Sequence, residues 1–237
     1  MKAAAIAANG GIEQLALHDL PAPNPGPGEV LIKVHAAALN HLDIWVRKGR
    51  PGSNPTFPHV LGSDAAGVVA ALGEGVTSAQ IGDEVVIDPG LSCGVCESCL
   101  RGEQSECAAY TIMGLGRPGT FAEYVTVPAR NLLAKPKSLS WEEAAALSLA
   151  YATAWRMLFT RAKLGAGETL LIHGIGGGVA IAALQLGRAA GAHVIVTSSA
   201  QAKLDRAREL GAHTGLLYGG GDLAKRILEA TGGRGVD

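Results

Sequence analysis

Cysteine is almost missing from this chain: 237 residues contain four, and all four fall between positions 93 and 107. Charge is sparse as well, 17% of residues with a formal balance of −1, and Lys and Arg nowhere form a dense block. That excludes a surface built to track phosphates, so no nucleic-acid partner is expected. No apolar stretch reaches the roughly 20 residues of a membrane span, because Glu, Arg or Gly interrupts each alanine-rich run. The chain opens Met1-Lys-Ala-Ala-Ala5 without an apolar leader, and the expectation is a cytoplasmic protein in a reducing compartment. What is abundant is apolar material, 48% of residues, and glycine, with 33. Such a length and composition suit one large domain or two modest ones with a buried core.

The four cysteines read Cys93-Gly-Val-Cys96-Glu-Ser-Cys99, then Cys107. Four thiolates at this spacing can surround one tetrahedral ion and leave no open position, which describes structural rather than catalytic zinc. Disulfides fit a reducing compartment poorly. An iron–sulfur cluster also accepts four thiolates, but the small and polar spacers Gly94, Glu97 and Ser98 read as an exposed loop tip. The expectation is a zinc ion that holds a lobe at about residues 92–108.

The texture changes near residue 140. Before it, short β-branched or alternating segments stand between turns: Lys2 to Ile6, Glu29 to Ala37, Gly67 to Ala71, Asp83 to Ile87 and Ala122 to Val127. They predict an antiparallel β domain over residues 1–150. Ser140-Trp-Glu-Glu143 has the form of a capping box and opens an Ala/Leu-rich helical stretch, with a second helix from about Ala150 to Thr160.

Residues 151–237 then show a βαβ unit in order. Glu168 to Ile172 is an apolar strand, His173 to Ala180 a glycine-rich turn, Ile181 to Ala190 a helix and His193 to Thr197 a second strand. Gly174, Gly176, Gly177, Gly178 and Val179 occupy the stretch where backbone can approach a pyrophosphate at a helix N-terminus. NAD-specific folds usually end the second strand on Asp or Glu, which binds the ribose hydroxyls and repels a 2′-phosphate. Here the strand ends on Ser198 and Ser199, with Lys203 nearby, which favours NADP over NAD.

The landmarks Pro27-Gly-Glu-Val30, Asn40-His-Leu-Asp43, Leu61-Gly-Ser-Asp-Ala-Ala-Gly67, Gly75-Val-Thr77, Gly82-Asp-Glu-Val85, the four cysteines, Gly119-Thr-Phe-Ala-Glu-Tyr124 and the glycine loop run through nearly the whole chain. In that order they resemble the medium-chain dehydrogenase/reductase superfamily, the zinc-type alcohol dehydrogenases and their quinone-reductase-like relatives. The resemblance implies an α/β protein: a GroES-like catalytic domain with Cys93, Cys96, Cys99 and Cys107 as its structural-zinc lobe, then a doubly wound parallel-sheet Rossmann domain, here partial. It also implies a small-molecule substrate and a homo-dimeric or homo-tetrameric parent enzyme.

Departures from the family pattern carry the functional expectation. Alcohol dehydrogenases of the family hold a catalytic zinc at positions that align with Asn40, Ser63 and Leu149. An amide, a hydroxyl and an aliphatic side chain are poor or impossible zinc ligands. His41 and His59 lie near in sequence but read as positioned polar residues rather than replacement ligands. Without a Lewis acid, reduction of a conjugated or quinonoid acceptor remains feasible with hydrogen-bond donors at the developing oxyanion. The pair Asn40 and Asp43 also resembles the zinc-free quinone-reductase branch. The expected activity is hydride transfer between NADPH and a quinone, an enone or a carbonyl/alcohol pair. The resemblance makes Asn40 and Tyr151 the candidates for polarising the acceptor, Asp64 and Thr153 the candidates for shaping the nicotinamide pocket, and His41 and Thr153 the expected cofactor contacts. The alternatives are a zinc-dependent alcohol dehydrogenase and a non-catalytic NADP-binding structural or regulatory protein.

Compared with that family the chain stops early, at Gly232-Gly-Arg-Gly-Val-Asp237, where a further Rossmann strand is expected. A piece of a longer protein is the expectation, with Thr169 to Ile172 left as an exposed edge strand and little soluble, active reductase from these residues alone.

Overall fold

The computed structural model describes residues 1–50, 55–219 and 221–237. It divides into two compact units, Met1–Leu149 and Ala150–Asp237. In the first, the strands are β1 (Lys2–Ile6), β2 (Leu15–Asp19), β3 (Glu29–Ala38), β4 (His59–Val60), β5 (Asp64–Leu72), β6 (Glu84–Ile87), β7 (Gly90–Leu91), β8 (Thr111–Ile112), β9 (Tyr124–Pro128) and β10 (Leu132–Ala134). Its helices are α1 (His41–Lys48), α2 (Glu97–Leu100) and α3 (Trp141–Ala145).

The central sheet has the order β10-β6-β5-β3-β9 and is antiparallel throughout. Val30 and Ile32 of β3, Val69 of β5, Val85 and Ile87 of β6 and Val125 and Val127 of β9 alternate inward, as a strand's twofold period requires, and meet in one buried cluster. The register of β3 against β5 shifts twice and ends with Ala38 opposite Asp64. The chain leaving β3 through Leu39 and Asn40 therefore starts α1 beside the chain that enters β5 through Gly62 and Ser63. Gly62 has φ 96°, and a Cβ there would lie 2.4 Å from the Phe121 ring, so this corner admits glycine alone. Ser140 opens α3 with the expected box: Glu143 N–H donates to Ser140 Oγ at 3.1 Å, and Ser140 N–H donates to Glu143 Oε2 at 2.9 Å.

Helix α4 (Ser148–Trp155) leads into the second unit and widens into a π-helical turn over Arg156–Arg161, where the sequence predicts one plain helix to about Thr160. The widened turn still delivers Leu158 to the core and Phe159 to its margin. Strand β11 (Thr169–Ile172), helix α5 (Gly178–Ala189), strand β12 (His193–Ser198), helix α6 (Gln201–Glu209), strand β13 (Thr214–Leu217) and helix α7 (Leu223–Ala230) follow. The three strands pair in parallel in the order β11-β12-β13, with β11 at an edge. Asp237 N–H donates to Thr169 O at 3.1 Å on that strand. Ala182, Leu184, Val194, Val196, Leu204 and Ala207 form the core that α5 and α6 close over the sheet. Among the described residues, no helix is long and apolar enough to cross a membrane.

Candidate functional site

Three arrangements carry chemistry. The first is the cysteine lobe, in which α2 and a short 3-10 turn at Gln104–Glu106 bring the four thiols together with all ligand atoms within 4.8 Å. A tetrahedral ion with bonds of about 2.3 Å to sulfur has sulfur–sulfur edges of about 3.8 Å. Cys93 and Cys99 stand at 3.9 Å and Cys96 and Cys99 at 3.5 Å, so the donor set fits such an ion. Backbone N–H groups point at two sulfurs, Cys96 to Cys93 Sγ at 3.3 Å and Cys93 to Cys107 Sγ at 3.4 Å, which favours the thiolate form. The Cys93 thiol is accordingly drawn down to about 6, chiefly by the N–H groups of Val95 and Cys96. Arg130 clasps the lobe from the turn between β9 and β10: its guanidinium donates to Ser92 O and lies against Gly94. Asn131 Nδ2 donates to the carbonyls of Asp88 and Gly90 at its base. Among the described residues this is the one group of three or more Cys, His, Asp or Glu side chains able to hold a metal.

The second arrangement surrounds Asp64. Its carboxylate is 1% exposed and receives Asn40 Nδ2–H at 2.9 Å and the backbone N–H of Leu149 at 3.0 Å. Its own carbonyl accepts from buried Thr120 Oγ1 at 2.9 Å. Beside it, Asp43 accepts from Asn40 N–H at 2.7 Å and from Gly62 N–H at 3.2 Å. Burial raises both acids, Asp64 to about 6, because desolvation outweighs the hydrogen bonds from Asn40 and Leu149. Ser63 is turned away and donates to Met113 O at 2.8 Å, while His59 Nε2 bonds Gly114 O at 2.9 Å. His41, first residue of α1, is exposed and meets Trp45 edge to face at 4.9 Å.

The third arrangement is the glycine loop. Helix α5 begins at Gly178, earlier than the sequence predicts, with Gly177 as its N-cap and Val179 in its first turn. The first-turn N–H groups have no partner within the helix, which is what an anion needs. Gly176 has φ 128°, and a Cβ there would sit 3.2 Å from Lys203 Cδ and 3.6 Å from its Nζ. Lys203 of α6 therefore lies across the loop. A Cβ on Gly174 would lie 3.2 Å from the Tyr218 hydroxyl, and Gly174 N–H donates to Thr197 Oγ1 at 3.1 Å. Tyr218 just past β13 is a residue that the sequence reading misses; its position after an unrecognised third strand was the available signal. Ser198 is buried with its hydroxyl accepting from Ala200 N–H at 3.2 Å, whereas Ser199 is exposed. Thr153 is exposed on α4, and the Tyr151 hydroxyl donates to Gln185.

Residues 26–137 match the family model for the alcohol dehydrogenase GroES-like domain, and residues 178–237 match that for zinc-binding dehydrogenases. A zinc-type alcohol dehydrogenase-like protein of Schizosaccharomyces pombe is 40% identical over 208 residues, covering 86% of this chain and 58% of that protein. Quinone oxidoreductase of Rattus norvegicus is 32% identical over all of this chain and 64% of its own length. A crystal structure of an NAD-dependent alcohol dehydrogenase superposes with a TM-score of 0.96 at 49% identity, covering 100% of this chain and 69% of that one. The chain thus spans roughly three fifths of the curated relatives it matches. With the GroES-like unit, the Rossmann-type unit and these relatives in agreement, the chain belongs to the medium-chain dehydrogenase/reductase superfamily, among the zinc-type alcohol dehydrogenase-like and quinone reductase-like proteins.

Proposed function

We propose that the protein is, or is part of, an NADPH-dependent reductase that delivers hydride to an enone, quinone or activated carbonyl without a catalytic metal, and that its one zinc is structural. The observation that carries this reading is the occupation of Asn40, Ser63 and Leu149: the amide donates to Asp64, the hydroxyl donates to Met113 O, and the third side chain has no donor atom. NADPH, when bound, would supply the hydride, and negative charge would develop on the acceptor's oxygen. Asn40 is the half-buried group able to donate a hydrogen bond to that oxygen as charge develops. The N-terminus of α5 and Lys203 hold the cofactor's phosphates, Tyr218 joins them, and the lack of an acid after β12 suits a 2′-phosphate. Tyr151, its hydroxyl engaged by Gln185, serves as packing against the Rossmann core rather than as a donor to substrate. His41 and Thr153 are proposed as further cofactor contacts, on the strength of their exposure and their place in the family pattern. Action in the cytoplasm as an oligomer belongs to the same proposal.

Steady-state oxidation of NADPH with a panel of quinones, enals and ketones tests this. Turnover with a conjugated acceptor supports it; tight NADPH binding with no turnover on any acceptor favours a binding module. The likeness to an NAD-dependent alcohol dehydrogenase favours a second reading, oxidation of an alcohol with NAD, which the same assay run in reverse with simple alcohols detects.

A further inference from the structure

Asp64 is sealed from solvent, yet it accepts hydrogen bonds from residues 24 and 85 positions away, Asn40 and Leu149. Together with Asp43, which grips the backbone of Asn40 and Gly62, it closes a ring: Asn40 to Asp43, Asp43 to Gly62, Gly62 to Thr120, Thr120 to Asp64 and Asp64 back to Asn40. The ring fixes the orientation of one side chain in particular. An ionised carboxylate only accepts, so of the two ends of the Asn40 amide only its NH2 can face Asp64. One Nδ2–H is then spent on Asp64 and the other remains. Asn40 is half-buried while Asp64 is closed off, so of the pair Asn40 is the residue left partly open.

We propose that Asp64 is the positioning residue for Asn40: it holds the amide so that the second Nδ2–H points to the oxygen of the acceptor, and it ties the segments at 40, 64 and 149 together where no metal ligand stands. This rests on the reductase reading for the identity of the acceptor, but the Asp64 to Asn40 link stands apart from it. A preset donor needs no reorganisation when the oxyanion forms, which is where such groups gain their effect. Without Asp64 the amide keeps only the cap contact of its side chain with the Asp43 backbone, and nothing then holds its NH2 end.

The test uses the whole protein that contains these residues, since these residues alone are expected to give little active reductase, with NADPH and either 2-cyclohexen-1-one or 1,4-benzoquinone. Asn40→Ala and Asp64→Asn each lower kcat by roughly 10–100-fold with the dissociation constant for NADPH unchanged, and the double variant is no slower than Asn40→Ala alone. Losses that multiply in the double variant overturn the proposal, as does an Asp64→Asn variant that weakens NADPH binding as much as it slows turnover. A second measurement does not depend on turnover or on the folding of the Asp64 variant. The side-chain amide signals of Asn40, assigned by their loss in Asn40→Ala, shift together in the wild-type 15N–1H spectrum as Asp64, whose charged neighbours are Asp43 and Asp88, titrates near about 6. Signals that stay fixed through that range overturn it. A wild-type chain that turns over none of the acceptors removes the reductase reading, and the amide titration then decides the inference by itself.

Discussion

A carboxylate sealed from water costs stability in its ionised form, and in this chain that cost concentrates at Asp64. Its hydrogen bonds from Asn40 and Leu149 offset only part of the desolvation, and the charge of Asp43 adds to it, leaving the group at about 6 instead of 3.8. The folded state therefore binds a proton near pH 6 that the unfolded chain binds only near 3.8, and between these values stability falls as pH rises. Two units correspond to on the order of 3 kcal/mol, present in full below the unfolded value and lost as pH passes upward through 6. Asp43 and Asp88, also raised by burial, titrate in the same sense, so the comparison must be against a variant. In Asp64→Asn the Tm gained on moving from pH 7 to pH 4.5 shrinks relative to wild type; identical pH profiles of Tm for the two proteins refute the assignment. Asn40 and Asp64 are legible in the sequence as candidates, because the motifs Asn40-His-Leu-Asp43 and Gly62-Ser-Asp64 stand out. Their mutual bond is not, since it depends on the register that sets Ala38 opposite Asp64, and the Leu149 N–H, a backbone group, has no sequence signature at all.

At the level of elements, legibility follows how local the cause is. The Ser140 box and the apolar strands Thr169–Ile172 and His193–Ser198 are written in adjacent residues and stand where the sequence predicts them. The glycine loop is shorter than its glycines suggest, because Gly178 and Val179 already belong to α5: favourable bonds further along the helix carry a poor helix former at its first turn. The third strand, with only Thr214-Gly-Leu-Leu217, lacks a pattern strong enough to read alone, and with it went Tyr218. Lys203 illustrates the middle case: its sequence position admits a solvated helix face, and only packing sets its stem across Gly176. As the lysine that follows the acid-free end of β12, Lys203 is expected to meet the 2′-phosphate, so Lys203→Ala weakens NADPH binding roughly tenfold and leaves NADH binding nearly unchanged. Fluorescence titration with both cofactors measures this, and an equal loss for the two would make Lys203 a contact to the shared pyrophosphate instead.

For the molecule as a whole, the question is whether metal and chemistry are separate. The four-thiol site lies within residues 93–107, and Arg130 and Asn131 join it to the sheet of the first unit. Closed sites of this kind contribute folding energy and leave no position for substrate. The positions Asn40, Ser63 and Leu149 meanwhile offer an amide, a hydroxyl engaged elsewhere and an aliphatic side chain, none of which is a good zinc ligand. Metal analysis of purified protein should thus find one zinc per chain. Cys99→Ser removes a buried ligand, releases that zinc and lowers Tm by on the order of 10 °C, taking several kcal/mol for the lost site. NADPH binding at the glycine loop persists in the surviving folded protein below that lowered Tm. Two zinc ions per chain would place a metal in the active centre after all and remove the zinc-free mechanism. A Cys99→Ser protein that keeps its fold and zinc but loses hydride transfer alone would instead show that the lobe takes part in the reaction, because a purely structural ion has no route to change the rate while the structure it supports remains intact.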